Sequence, residues 1–178
     1  MPNSANNESL NITDEVIKKS ATIKAYTRWK KNTSYSEDIK NKVEFALKNN
    51  LKVIFCIGEN KSEKKKKQTI NVLKKQIKNA LNKKYDFKKI IIAYEPIWSI
   101  GSGKLPSKHE LSKIVLSLKK FLNSKFNKKH KFKILYGGSV DSNSIYQFKK
   151  IKELDGFLIG GASKSSKKFI DIIKNFYK

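Results

Sequence analysis

The stretch Ala93-Tyr94-Glu95-Pro96-Ile97-Trp98-Ser99-Ile100-Gly101-Ser102-Gly103-Lys104 decides the reading of this chain. It follows Ile90-Ile91-Ile92, a continuous apolar run of the kind made by a strand covered on both faces. Glu95 therefore stands where a buried strand surfaces. Pro96 cannot donate to a ladder, and Gly101-Ser102-Gly103 supplies permissive backbone at the far end of a short loop otherwise held by Ile97, Trp98 and Ile100. An acid alone at a strand end is more often a cap or a surface charge, and a lone Gly-Ser-Gly is an ordinary turn. Together they have the layout of a base beside a hinged, apolar-tipped lid.

Outward from this stretch, strands and helices alternate. Ser34 and Glu37 stand in capping-box relation, and Ile39, Val43, Ala46 and Leu47 recur at helical spacing up to Asn49-Asn50. A strand, Val53 to Ile57, follows at once and closes at Gly58-Glu59. Ile70, Leu73, Ile77 and Leu81 mark a lysine-coated helix before the Glu95 strand. Ser107 and Glu110 form a second capping pair, and Leu111, Ile114, Val115, Leu118 and Leu122 line one face of the next helix. Phe132 to Tyr136 predicts a strand, Ile145 and Phe148 a short helix, and Asp155 to Ile159 the last strand. Phe169, Ile170, Ile173 and Phe176 mark the closing helix. Such alternation with short connections predicts parallel strands joined by right-handed crossovers, an α/β fold.

In a parallel sheet or barrel all strand C-termini open on one face, so Glu95, Gly137-Gly138-Ser139 and Gly160-Gly161 converge there. One glycine pair is an ordinary strand-to-helix turn. Two such turns after consecutive strands, beside an acid, predict an anion site, because backbone N–H groups without side chains approach a phosphate closely.

Composition adds bounds. The 178 residues suffice for one domain, and no linker rich in Pro, Gly and Ser divides them. No stretch approaches the roughly 20 apolar residues of a membrane span. The N-terminal MPNSANNESLNITDE has neither the basic start nor the apolar middle of an export signal, so a cytoplasmic location is expected. Cys56, the one cysteine, sits in an apolar strand, which suits a reducing compartment and a core role. The formal charge is +25, yet Arg28 is the sole arginine among 40 basic residues. Base readout and bidentate phosphate binding favour arginine, so the lysines read as a solvated surface with non-specific nucleic-acid binding at low salt.

The string AYEPIWSIGSGK resembles the active-site glutamate and lid of the triosephosphate isomerase family. Across residues 34 to 178, LKVIFCIGE is similar to that family's fifth strand, KILYGGSV to its seventh and DGFLIGGAS to its eighth. The resemblance implies a partial (β/α)₈ barrel, with strands five to eight and a remnant of the fourth. Residues 1–22 are then a polar N-terminal segment and residues 23–178 the C-terminal part of the barrel. It also implies interconversion of dihydroxyacetone phosphate and glyceraldehyde 3-phosphate, in glycolysis and gluconeogenesis, without cofactor or metal. Glu95 would be the proton-transferring base, while Gly101 in the lid and Ser139, Gly160 and Gly161 would hold the substrate phosphate.

Residues 23–29 fall where the family reads Ile-Gly-His-Ser-Glu-Arg-Arg, so Ala25 takes the place of the catalytic histidine and Thr27 that of the neighbouring glutamate. A rival alignment makes Lys30 in Trp29-Lys30-Lys31-Asn32 the substrate-binding lysine of the first strand. Spacing argues against it, since only about twenty residues would then separate strands one and five, and the first-strand lysine is expected to be absent. His109 and His130 fall in or beside helices and read as surface residues. A complete barrel takes roughly 250 residues. Strands five to eight alone would leave open edges at Val53–Ile57 and at Gly156–Ile159, and such edges predict a homo-oligomer.

Overall fold

The computed structural model describes residues 20–24 and 35–178. The elements run β1 (Ser20–Lys24), α1 (Tyr35–Lys48), β2 (Lys52–Ile57), α2 (Lys61–Lys65), α3 (Thr69–Ala80), β3 (Ile90–Tyr94), α4 (Lys108–Lys125), β4 (Ile134–Tyr136), α5 (Ser142–Phe148), β5 (Gly156–Phe157) and α6 (Ser166–Tyr177). The strands form one sheet in the order β1-β2-β3-β4-β5, and each neighbouring pair is parallel. Sequential order with parallel pairing follows from the helical crossovers, which return the chain to the same end of the sheet each time.

The strand faces divide the apolar residues by alternation. Val53, Phe55, Ile57, Ile92, Tyr94, Ile134 and Tyr136 face the helices and meet Leu73, Ile77, Leu111, Val115 and Leu118 in the main core. Each such side chain, fully buried, contributes about 1.5–3 kcal/mol. Cys56 and Ala93 lie on the opposite face, with Ile54, Ile97, Ile100, Leu135 and Leu158 partly buried around them. Most apolar positions read from helical spacing in α1, α3 and α4 are buried, among them Ile39, Val43, Leu73, Ile77, Leu118 and Leu122, while Leu47 and Ile70 are partly buried.

Several expectations are corrected. The Val53–Ile57 edge is not open, because β1 pairs along it in the register Ser20↔Lys52 to Lys24↔Cys56. The open edge on that side is β1 itself, among the described strands. Its polar sequence hides it: among Thr22, Ile23 and Lys24, Ile23 alone is buried, as befits an edge strand. β1 also spans the expected boundary between residues 22 and 23.

The last two strands are shorter than read, Ile134–Tyr136 and Gly156–Phe157. Among the described strands β5 has a sheet neighbour on one side only, and one further bond, Leu158 N–H to the Tyr136 carbonyl at 2.9 Å, carries the contact past its end. α2 lies unannounced within the lysine run, although Asn60 and Glu63 cap it reciprocally. At α4 the expected box is half made: Ser107 accepts the Glu110 N–H, while the Glu110 carboxylate turns to Lys64. Ser34, Ala25, Thr27, Arg28, Trp29 and Lys30 lie outside the described residues.

Candidate active site

Glu95 is the first residue past β3, and its N–H donates to the Ile57 carbonyl at 2.8 Å, prolonging the β2–β3 contact beyond the strand end. Two residues on, Ile97 N–H donates to the Glu59 carbonyl at 3.0 Å and extends the same contact. The acid is thereby held on a rigid pair of strands, 6% exposed.

Two glycines make room for it. A Cβ on Gly137 would stand 2.6 Å from Glu95 Cγ, and one on Gly58 would stand 1.9 Å from the Glu95 carbonyl oxygen. Real Cβ atoms do not tolerate either distance, so these positions follow from the close approach of backbone to Glu95 and not from a turn alone. Along the sequence, Gly137 reads as part of a phosphate turn and Gly58 as a strand end. Neither reads as a wall of the acid's site, because the approaching atoms belong to another strand.

Lys24, at the end of β1, brings its Nζ to 3.4 Å from Glu95 Oε2. Its side chain is 51% exposed, so the ion pair is screened and orients the carboxylate more than it stabilises the fold. Nothing local in the sequence pairs residue 24 with residue 95, so Lys24 is missing from the residues expected at the site. Burial, with the Glu95 carboxylate beside it, pushes the Cys56 thiol well above its ordinary range, so Cys56 remains a neutral thiol.

The loop after Glu95 is fastened at several points. Glu59 is wholly buried, and its Oε1 accepts from Trp98 Nε1 at 2.8 Å, Tyr94 OH at 3.2 Å and Thr69 Oγ1 at 3.3 Å. Lys64 Nζ lies 4.0 Å from the centre of the Trp98 ring. Burial raises the Glu59 pKa although these donors oppose it.

Ser99, also buried, donates from Oγ to the Lys104 carbonyl at 2.6 Å and lies 3.3 Å from Tyr136 OH. It closes the loop neck on itself. Gly101 and Gly103 take φ of +66° and +69°, the left-handed region that favours glycine.

Of the residues expected at a phosphate, Ser139 is joined to the loop. Its N–H donates to Ser99 Oγ at 3.3 Å and its hydroxyl to the Ser99 carbonyl. Gly101 lies exposed near the loop tip. Gly160 and Gly161 follow β5, with nothing within 4 Å of where a Cβ would stand. Gly161 borders a depression of about 380 Å³ together with Asp141, Ser142, Ala162, Lys168, Asp171 and Ile172. The Asp141 carboxylate caps α5 and is held below the usual range by the Ser144 N–H. The structure thus joins Glu95, Gly137, Ser139 and the loop directly, and places Gly160–Gly161 one strand farther on.

The family model for triosephosphate isomerase matches residues 28–176. Triosephosphate isomerase of Saccharomyces cerevisiae is 40% identical over 139 residues, covering 77% of this chain and 56% of that protein. The Yarrowia lipolytica protein of the same name is 39% identical over 145 residues, 81% of this chain and 58% of its own length. Among solved structures, triosephosphate isomerase from Bartonella henselae superposes with a TM-score of 0.77 at 26% identity, over 90% of this chain and 65% of that one. The chain therefore spans a little over half the length of the curated relatives it matches. The five parallel strands with their helices are part of a (β/α)₈ barrel.

Proposed function

This chain belongs to the triosephosphate isomerase family, and from that premise we propose that Glu95 is the base of an aldose–ketose isomerisation. The substrate would be a triose phosphate, dihydroxyacetone phosphate or glyceraldehyde 3-phosphate. In the proposed reaction the Glu95 carboxylate takes a proton from the carbon next to the carbonyl and returns it to the adjacent carbon through an enediolate. Barrel enzymes carry their reacting groups at the C-terminal ends of strands, beneath the loops that follow, and Glu95 occupies such a position. The observation that carries the reading is the buried carboxylate walled by Gly58 and Gly137, with the Trp98–Ser99 loop fastened beside it.

The phosphate would lie against Gly101, Ser139, Gly160 and Gly161. There a phosphate oxygen would take over from Ser99 Oγ as the partner of the Ser139 N–H. Ala25 stands where the resemblance puts an electrophilic histidine, so the chain alone is expected to turn over far more slowly than a complete family member. The reaction needs no cofactor, and the thiol of Cys56 suits the cytoplasm.

The test is an isomerase assay of the purified chain at moderate salt beside Glu95→Gln, which keeps the shape and removes the proton acceptor. General-base catalysis supplies ~10²–10⁴ in rate, so the variant should lose at least that range. An unchanged rate would refute the assignment. A second reading, binding without turnover, is favoured by the glycine turns: amide shifts at Gly101, Ser139, Gly160 and Gly161 on adding inorganic phosphate, with no turnover, would select it. Shifts confined to the lysine-rich helices would indicate non-specific anion binding.

A further inference from the structure

β1 ends on the face of the sheet that carries Glu95. Ile23 packs into the main core toward the helices, so alternation turns Lys24 to the opposite face. There Lys24 stands in register with Cys56, and Cys56 with Ala93, two residues before Glu95. The lysine and the acid thus share one face, two strands or about 10 Å apart. A flexible four-carbon stem crosses β2 and brings Nζ to 3.4 Å from Oε2.

The two partners are held differently. The Glu95 side chain is largely buried and fixed by its strand, while that of Lys24 is half exposed and reaches in from the rim. Around Cys56 and Ala93 the same face is lined by Ile54, Ile97, Ile100, Leu135 and Leu158, which offer no charge. Neither histidine takes this place: His109 lines a depression beside Lys113 and Ile114, and His130 packs edge-on against Phe132 at 4.6 Å. Ala25, which follows Lys24, has no polar group to offer.

In the isomerisation proposed for Glu95 the negative charge moves. It starts on the carboxylate, which takes a proton from carbon. The C–H electron pair then forms the carbon–carbon double bond, the carbonyl π pair moves to oxygen, and the charge ends on that oxygen while Glu95 becomes neutral. A carbon seated against the carboxylate brings its neighbouring carbonyl oxygen within reach of an ammonium 3.4 Å from Oε2. One cation therefore accompanies the charge from carboxylate to enediolate. Its hold on the oxygen strengthens along the way, because the neutral acid no longer competes for it.

Resting on that reading of Glu95, we propose that Lys24 is the electrophile of the reaction, its ammonium binding the oxygen on which the enediolate charge develops. Isothermal titration calorimetry of the 178-residue chain reads this without turnover. The two probes are inorganic phosphate and phosphoglycolate, whose carboxylate stands in for the charged enediolate. Lys24→Met is expected to weaken phosphoglycolate about tenfold and inorganic phosphate less than about twofold, and Lys24→Arg to regain most of the loss. In the isomerase assay Lys24→Met is expected to lower kcat about tenfold to a hundredfold with little change in KM. Urea unfolding checks that the fold survives the change.

Equal weakening of both anions would make Lys24 a diffuse attractor and overturn the proposal. Phosphoglycolate binding that the variant leaves intact, or that the original chain lacks, overturns it as well. So does a faster Lys24→Met, which would mean that the ammonium blocks the carboxylate. Glu95→Gln keeps the two readings apart. If it loses the rate and Lys24→Met does not, Glu95 stands as the base and Lys24 falls; if Glu95→Gln keeps the rate, the reading of Glu95 falls first. Where turnover is below detection, the binding comparison alone decides.

Discussion

The glycine turns on the two sides of the sheet's C-terminal end are built in opposite ways. Around Glu95, Gly58 and Gly137 are glycines because another chain segment occupies the space a Cβ needs, and the adjoining loop is fastened through Glu59 and Ser99. At Gly160–Gly161 nothing lies within 4 Å of either missing Cβ, β5 has one neighbour among the described strands, and the helix that follows exposes its apolar side. The base side of the site is set by packing within this chain. Among the described residues the far side is open.

That contrast can be broken by adding one methyl group on each side. Gly58→Ala should be the most damaging, because its Cβ meets backbone, which yields little. A cost of about 3 kcal/mol or more is expected in urea unfolding. Gly137→Ala meets the flexible Glu95 side chain instead, so it should leave the fold nearly intact and displace the carboxylate. A loss of about 10²-fold in any isomerase rate is expected. Gly161→Ala, at the start of a short 3-10 helix with open space around it, should change stability by less than about 0.5 kcal/mol. Equal costs at Gly58 and Gly161 in the same unfolding series would erase the distinction.

The loop fastening gives a smaller effect. Ser99→Ala removes the bond to the Lys104 carbonyl and the acceptor of the Ser139 N–H. A loss of about 1 kcal/mol is expected, seen as a Tm lowered by roughly 2–4 °C, with faster amide exchange at Ser139. Unchanged exchange there would mean that the hydroxyl does not hold the neck.

The smallest expected effect is a pH dependence. Burial raises the Glu59 pKa in the fold above its ordinary value of 4.5. A carboxyl raised in the fold contributes stability that is complete below the unfolded value and lost as pH rises through the folded one. Glu59→Gln cannot ionise. The stability of the original chain relative to this variant should therefore fall as pH rises above about 4.5. A difference independent of pH in denaturant titrations would show that Glu59 ionises without cost.

Much of this is legible along the chain because it depends on near neighbours. Helical spacing marks the buried faces of α1, α3 and α4, the run Ile90-Ile91-Ile92 marks a strand covered on both sides, and the string around Glu95 identifies the acid and its loop. α2 escapes because a lysine run obscures a cap that Asn60 and Glu63 nevertheless spell out. β1 is legible only as the remnant of a strand, because an edge strand needs only one apolar side chain, Ile23, and its extent rests on pairing with β2.

The sequence by itself determined the alternation of strands and helices, their parallel sense and the position of Glu95 at a strand end, since each follows from periodicity and short connections. Only the tertiary structure decided what surrounds that acid. Gly58 and Gly137 leave the room that Glu95 occupies, Lys24 reaches the carboxylate, and Glu59 holds Trp98 because strands distant in sequence are spaced about 4.8 Å apart. The same holds for α6: its apolar spacing marks one face, and only the sheet order shows that this helix follows the strand with one neighbour among the described strands.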